Sequence, residues 1–345
     1  MKDNYMKKGV SVVIPCYNSG KRLPATLLHI AQQNVPRSIP WEVILINNGS
    51  QDNTTEVAWN EWKKHGVKIP FNVFEQNIPG SSAAREMGIN KANYEYILFV
   101  DDDNWLNDDY IKNAYTIMKE NPEIGMLGGE GVPHCESPPP DWFNKYHYYY
   151  ALGPQGERSG DITQTRGYVY TAGAVLRKSA WEYVKKCGFE HCLPGRKGEL
   201  LFASEDVEMC YALRLANYKI WFDDRLRFTH YMPNNRLDWQ YFLNLTESIH
   251  LAKIYLTPYV DILMDIERKR IHNQYLWIIM SSQNFWKIIK YYKSYIRYLL
   301  WGEYHDWVHR KYKMHLGELK GWLALRSNYL TIYDRVDRLK HKLAH

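Results

Sequence analysis

Paired cysteines are missing from this chain: Cys16, Cys135, Cys187, Cys192 and Cys210 are odd in number and form no C-x-x-C pair. That excludes the disulfide framework of small secreted domains, and reduced thiols in a cytoplasm are the expectation. Cys187, His191 and Cys192 have no second half at finger-like spacing, so a zinc site is not expected there. Also missing is an uninterrupted apolar run of about twenty residues, the length a membrane span needs. Residues 1–9 carry lysines but pass straight into a strand-like run, without an apolar leader core or a small-residue cleavage site. No secretory leader is expected. Internal repeats and low-complexity segments are absent, and no nucleic-acid-binding motif is present, so a nucleic-acid partner is not expected. What remains is an ordinary globular composition in 345 residues, enough for one large domain with an appendage or for two domains.

Charge is spread unevenly. Residues 1–230 hold 26 basic and 28 acidic side chains and residues 231–345 hold 18 and 10, so the basic character belongs to the C-terminal region. Charge alone does not choose among phosphates, anionic lipid and a protein partner. Within that region, residues 275–301 have helical spacing, with Gln283, Lys287, Lys290, Ser294 and Arg297 on a polar stripe. Two readings stay open: a helix packed on the rest of the chain or in an oligomer interface, and a cationic, aromatic helix lying on an anionic membrane surface.

The first hundred residues alternate strand and helix signals. Strands are expected at 10–15, 41–46, 71–74 and 96–100, and helices at 23–33, 54–65 and 81–91. This βαβαβαβ order predicts an α/β fold: a mostly parallel, Rossmann-like sheet with helices on both faces, followed by a helical C-terminal region. Ligands of such sheets bind beyond the carboxyl ends of the strands, a rim that gathers Tyr17-Asn18, Asn47-Asn48 and Asp101-Asp102-Asp103. Residues 124–229 read as more irregular, with a strand at 168–176 and a helix at 205–216 for which Ser204 is the expected N-cap.

Three adjacent carboxylates resist burial together, and Asp101-Asp102-Asp103 follows the apolar run Tyr96-Ile97-Leu98-Phe99-Val100. A cation belongs at such a place; the plainer reading is an acidic loop that starts the next helix. Three further segments bear on the choice: Val12-Val13-Ile14-Pro15-Cys16-Tyr17-Asn18, Ile44-Leu45-Ile46-Asn47-Asn48-Gly49-Ser50-Gln51-Asp52, and the stretch from Asn77 through Arg85 to Gly88. In order and spacing, these four resemble the inverting family 2 glycosyltransferases of the GT-A fold, the nucleotide-diphospho-sugar transferases of bacterial surface-polysaccharide assembly. The resemblance covers about residues 10–230.

The resemblance implies a metal-dependent hexosyltransferase that moves a sugar from a nucleotide-sugar donor, UDP-linked by preference, to a hydroxyl of a glycan or lipid-linked glycan acceptor. It implies Pro15, Tyr17 and Asn18 in the nucleoside pocket, and Asn77 and Arg85 near the base and the diphosphate. The family's aspartate at the second strand end is replaced here by Asn47, whose amide can still accept from a uracil N–H. Asp101 and Asp103 match the family's D-x-D pattern. Asp103 would then hold Mn²⁺ or Mg²⁺, Asp101 ribose or a metal-bound water, and Asp102 would lie beside them on the nucleotide side. His230 matches a histidine metal ligand. In Ser204-Glu205-Asp206 the resemblance assigns Asp206 as the base and Glu205 as a sugar- or acceptor-orienting group. The alternative for both is simple complementarity to a helix N-terminus. Gly173 would admit the donor sugar ring.

Trp142, the cluster Tyr146-His147-Tyr148-Tyr149-Tyr150 and Gly153-Pro154-Gln155 either stack on acceptor sugars or pack a core. The implied domains are a catalytic one over 1–232, with a nucleotide-binding half to about residue 105 and an acceptor half from 106, and the helical, basic, aromatic-rich region over 233–345. Expected localisation is cytoplasmic, with peripheral contact at the inner membrane through the C-terminal helices; an oligomer is compatible. Two competitors are a non-catalytic membrane-associated or partner-binding scaffold that keeps the fold, and a sugar nucleotidyltransferase, whose Gly-rich, Arg-bearing phosphate loop has no counterpart in residues 10–21.

Overall fold

The computed structural model describes residues 6–193, 204–264, 275–302 and 306–344; the first five residues of the stretch read for a leader lie outside them. β1 (Lys7–Cys16), α1 (Leu23–Ala31), β2 (Trp41–Asn47), α2 (Thr54–His65), β3 (Phe71–Glu75), α3 (Ser81–Lys91) and β4 (Tyr94–Phe99) follow in the expected order. They build a parallel half-sheet ordered β3-β2-β1-β4. Side chains alternate across its two faces: Val13, Ile44, Ile46, Ile97 and Phe99 enter one core, and Val12, Ile14, Val43, Leu45 and Leu98 the other. Both faces are therefore covered, which explains why these strands read as continuous apolar runs.

The far half departs from the simple alternation. It contains β5 (Asn104–Leu106), β6 (Ile124–Cys135), β7 (Gly160–Asp161), β8 (Val175–Arg177) and β9 (Lys219–Met232), with helices α4 (Tyr110–Glu120), α5 (Phe143–Tyr146), α6 (Lys178–Lys186) and α7 (Glu205–Leu215). β8 joins β4 antiparallel, β6 and β9 run parallel, and β5 and β7 pair antiparallel with β9. β6 falls in the stretch read as irregular because it is rich in glycine. At Gly129 a Cβ would stand 2.0 Å from the Leu226 carbonyl oxygen, so the close approach of β6 to β9 needs glycine there.

Two local expectations fail for backbone reasons. The strand expected over 168–176 is confined to β8, because Gly173 adopts φ +71° and Ala174 N–H turns back to the Thr171 carbonyl at 3.0 Å. Ser204 does not cap α7 with its hydroxyl. Its φ is +91° where a cap needs an extended backbone, and only its carbonyl serves the helix, accepting from Glu208 N–H at 3.1 Å.

The C-terminal region is helical, as expected: α8 (Trp239–Tyr255), α9 (Thr257–Leu263), α10 (Leu276–Trp301), α11 (Asp306–Leu325) and α12 (Tyr329–Leu343). Ile262 of α9 and Val336, Leu339 and Leu343 of α12 extend the core that covers one face of the sheet. α8 packs on α11, and α11 on α10. No described helix is long and apolar enough to cross a membrane.

Candidate active site

β1 and β4 end side by side at the carboxyl rim, and the chain beyond them forms an open cleft of about 910 Å³. Pro15, Tyr17, Asn77 and Arg85 line it, with the acidic triplet at its floor and His230 at its far wall. The triplet does not start a helix. Asn104 N–H bonds the Asp101 carbonyl at 3.0 Å and the chain turns directly into β5.

Each aspartate has a different surrounding. Asp102 is buried and tied inward: the Ser19 hydroxyl donates to its carboxylate, Arg22 Nη2 lies 2.7 Å away, and the Thr26 hydroxyl takes its carbonyl at 2.9 Å. Burial and the neighbouring Asp103 raise its carboxyl above the ordinary range, with Arg22 and Ser19 opposing. It anchors the loop before α1. Asp101 is part-exposed and faces Arg85 at 3.5 Å. Asp103 is buried, with Arg236 Nη2 at 2.9 Å from Oδ2 and His230 Nε2 at 3.3 Å from Oδ1. Burial alone would raise its carboxyl, but His230, Arg236 and Arg22 outweigh that and hold it below the usual carboxylate range.

His230 is aimed by its other nitrogen, Nδ1, which lies 3.0 Å from the Tyr150 carbonyl. An imidazole held in this way presents Nε2 as a ligand nitrogen. Asp103 and His230 converge on one point, and one carboxylate with one imidazole suits Mn²⁺ or Mg²⁺ when phosphate oxygens complete the shell. Here Arg236 spans that point, its Nη1 lying 3.1 Å from His230 Nε2. Among the described residues no three His, Cys, Asp or Glu side chains group together as a metal site. The residues present therefore fit a divalent cation shared with a diphosphate, provided Arg236 yields its place.

Arg85 joins the cleft to the Glu205-Asp206 pair. Its Nη1 lies 3.5 Å from Glu205 Oε2, which also accepts from the Ser81 hydroxyl at 3.1 Å. Asp206 points the other way, into a second cavity of about 430 Å³ walled by Tyr148, Tyr149, Tyr168, Tyr170 and Tyr241. Its carboxylate accepts from Val207 N–H at 2.8 Å and Thr171 N–H at 3.4 Å. Burial raises its carboxyl above the ordinary aspartate value, against the pull of Arg85 and those two N–H groups. His230 and Arg236 line both cavities.

Three expected site residues stand back from these walls. Asn18 ties two loops together, donating its N–H to Ser50 and accepting from Gln51 N–H. Asn47 spends its amide on Thr55 and Glu75 and its oxygen on Ser50 N–H; Asn48 lines the cleft instead. Gly173 has its carbonyl held by the Tyr110 hydroxyl at 2.6 Å and lines neither cavity. Arg22, Arg236, Tyr168 and Tyr170 were not foreseen. Of these only Arg236 had a sequence signal, its place in a Pro-Asn-Asn-Arg turn shortly after His230. The aromatic stretch does not divide cleanly: Trp142 and Tyr146 are buried around Phe242, Tyr148 lines the second cavity, and Tyr149 and Tyr150 do both. Gln155 is structural, bridging the Gly129 carbonyl and Tyr170 N–H. His191 is engaged by Glu208 at 2.9 Å, and Cys192 Sγ faces Arg335 at 3.0 Å.

Residues 11–184 match the family model described as Glycosyl transferase family 2. The chain belongs to that family. Among curated relatives, the poly-beta-1,6-N-acetyl-D-glucosamine synthase of Staphylococcus epidermidis is 27% identical over 218 residues, 63% of this chain and 48% of that protein. The poly(ribitol-phosphate) beta-N-acetylglucosaminyltransferase TarP of Staphylococcus aureus is 32% identical over 127 residues, 37% of this chain and 38% of its own. The chain thus spans about half or less of the curated relatives it matches. A solved mannosyltransferase from Pyrobaculum calidifontis, PcManGT in complex with GDP-Man and Mn²⁺, superposes with TM-score 0.52 at 15% identity, covering 98% of this chain and 86% of that one. At that identity the likeness shows a shared fold.

Proposed function

We propose that this family 2 chain is an inverting, metal-dependent glycosyltransferase that moves a sugar from a UDP-linked donor to a hydroxyl of a glycan or lipid-linked glycan. The observation that carries this reading is the position of Asp206: a carboxylate lining a cavity of its own, which adjoins the cleft that holds Asp103 at His230 and Arg236. Inversion asks for that arrangement, since the attacking hydroxyl and the departing diphosphate lie on opposite faces of the sugar.

In this reading Pro15, Tyr17 and Asn77 receive the nucleoside, and Arg85 and Arg236 face the diphosphate with their guanidinium forks. Asp103 and His230 hold the divalent cation, with Asp101 beside them. When bound, that cation supplies Lewis-acid stabilisation of charge on the leaving diphosphate. Asp206 takes the proton of the acceptor hydroxyl, and its raised pKa makes it a stronger base than an exposed aspartate. Glu205, fixed by Ser81 and Arg85, orients the donor sugar or acceptor. The tyrosines around Asp206 offer flat faces to an acceptor ring.

Both curated relatives described above are named for N-acetylglucosamine, which makes UDP-N-acetylglucosamine the first donor to test. UDP release with Mn²⁺ is expected from wild type, with a loss of about two to four orders of magnitude in Asp206→Asn. A protein that binds no nucleotide sugar, or whose Asp103→Ala and wild-type forms behave alike, contradicts the proposal.

A further inference from the structure

α10 wears its apolar side outward. The face packed against α11 carries Ser281, Asn284, Ile288 and Tyr295, with Asn284 only 2% exposed. Tyr295 stacks on Tyr312 of α11 at 4.2 Å, and Asn284 donates to the Met280 carbonyl. The opposite face leaves Trp286 and Trp301 each 69% exposed, Leu300 64% and Ile279 48%. An ordinary surface helix does the reverse, and a contiguous apolar face on a folded chain marks something that covers it.

The charges on α10 indicate what that covering is. Lys287, Lys290 and Lys293 are exposed beside these apolar residues, and α10 holds no Asp or Glu. Tyr292, Lys293, Ile296, Arg297 and Trp301 frame a shallow groove of about 560 Å³. A second copy laid on this face would set lysine against lysine, with no acid on the helix to relieve it. An anionic bilayer meets both features, since its phosphates pair with the cations while tryptophans and aliphatic tips enter the boundary between headgroups and acyl chains. Crossing is excluded for this helix, so it would lie in the interface plane.

We propose that α10 is a monolayer-docking face that seats the protein on an anionic lipid surface. The face lies outside both cavities, so this inference stands or falls independently of the transferase reading. The experiment is co-sedimentation of the full chain with phosphatidylcholine vesicles and with 7:3 phosphatidylcholine/phosphatidylglycerol vesicles, at 0.1 and 0.5 M NaCl. Binding at least tenfold stronger to the anionic vesicles, and falling severalfold in the higher salt, is expected. Lys290→Glu with Lys293→Glu, and separately Trp286→Ser with Trp301→Ser, should each cut it about tenfold while UDP binding and the circular-dichroism spectrum stay unchanged. Equal binding to both vesicle types, no binding to either, or variants that bind like wild type overturn the inference. So does sedimentation velocity showing a dimer that the charge reversal dissociates, since that assigns the face to a second copy. If a variant misfolds, the salt dependence of wild type still decides.

Discussion

The two cavities that meet at His230 and Arg236 are built from different material. The cleft that holds Asp103 is built from the loops that follow β1, β2, β3 and β4, from the start of α3 and from the end of β9 and the turn after it, and its charged side chains lie within about 3.5 Å of one another. The second cavity is walled by tyrosines from the loops near residues 148 and 170 and from α8, with one carboxylate, Asp206, at its edge. The difference fits the tasks that the proposed function gives them. A diphosphate demands fixed charges placed by a rigid sheet, whereas a sugar ring is held by apolar faces that loops can vary.

Substitutions can break this comparison, beginning with the largest effect. Asp206→Asn keeps shape and removes the base, so kcat should fall about 10²- to 10⁴-fold while the Kd for UDP stays within twofold. Arg85→Lys keeps the charge but loses the fork that reaches both Asp101 and Glu205. A loss of about 1.5–3 kcal/mol, roughly 10- to 150-fold in kcat/KM, is expected from steady-state kinetics. Tyr170→Ala should act on the acceptor side alone, raising acceptor KM by about threefold to tenfold with donor KM unchanged. An equal rise in donor KM would erase the division between the cavities.

Two finer predictions concern Asp206 and α7. Because burial raises the Asp206 carboxyl, the base is protonated at a higher pH than an exposed aspartate. The acid limb of kcat/KM should therefore lie above the ordinary aspartate range, activity rising as pH climbs through it, and the limb should vanish in the residual activity of Asp206→Asn. For stability the sign is opposite: a carboxyl raised on folding favours the folded state below its unfolded pKa, and that contribution is lost as pH rises through the folded value. The smallest effect belongs to Ser204→Ala. Since its hydroxyl makes no cap bond, thermal unfolding should show a change well under the ~1 kcal/mol that removing a true cap costs.

Legibility in the sequence follows the same boundary. α2 and α3 have the bounds that spacing alone assigns them, because each starts and ends at clear punctuation between apolar strands. β6 was hidden by the glycines that let it lie against β9, and Gly173 ended the expected strand early. Asp101 and Asp103 stand out as carboxylates at the end of an apolar strand, whereas Arg85, inside α3, and His230, inside β9, are singled out by the resemblance; all four line the cleft. Asn47 misled because facing inward or outward at a strand end is a one-residue matter: Asn48, not Asn47, reaches the cleft. The tyrosine wall is a product of tertiary packing. Tyr146 turns into the core, Tyr148 turns to the cavity, Tyr149 and Tyr150 touch both, and nothing in a run of like aromatics distinguishes them. The Pro-Asn-Asn-Arg turn after His230 marks Arg236 locally, but its partner Asp103 lies more than a hundred residues away, a distance that no local pattern spans.

The central claim is that donor binding and acceptor activation reside in separate carboxylates. The direct measurement is a paired one: calorimetric binding of UDP with Mn²⁺, and sugar transfer, for Asp103→Asn and Asp206→Asn. The account predicts that Asp103→Asn loses both, whereas Asp206→Asn binds UDP as wild type does and transfers about a hundredfold more slowly or worse. Wild-type turnover by Asp206→Asn, or undiminished metal-dependent UDP binding by Asp103→Asn, would contradict it.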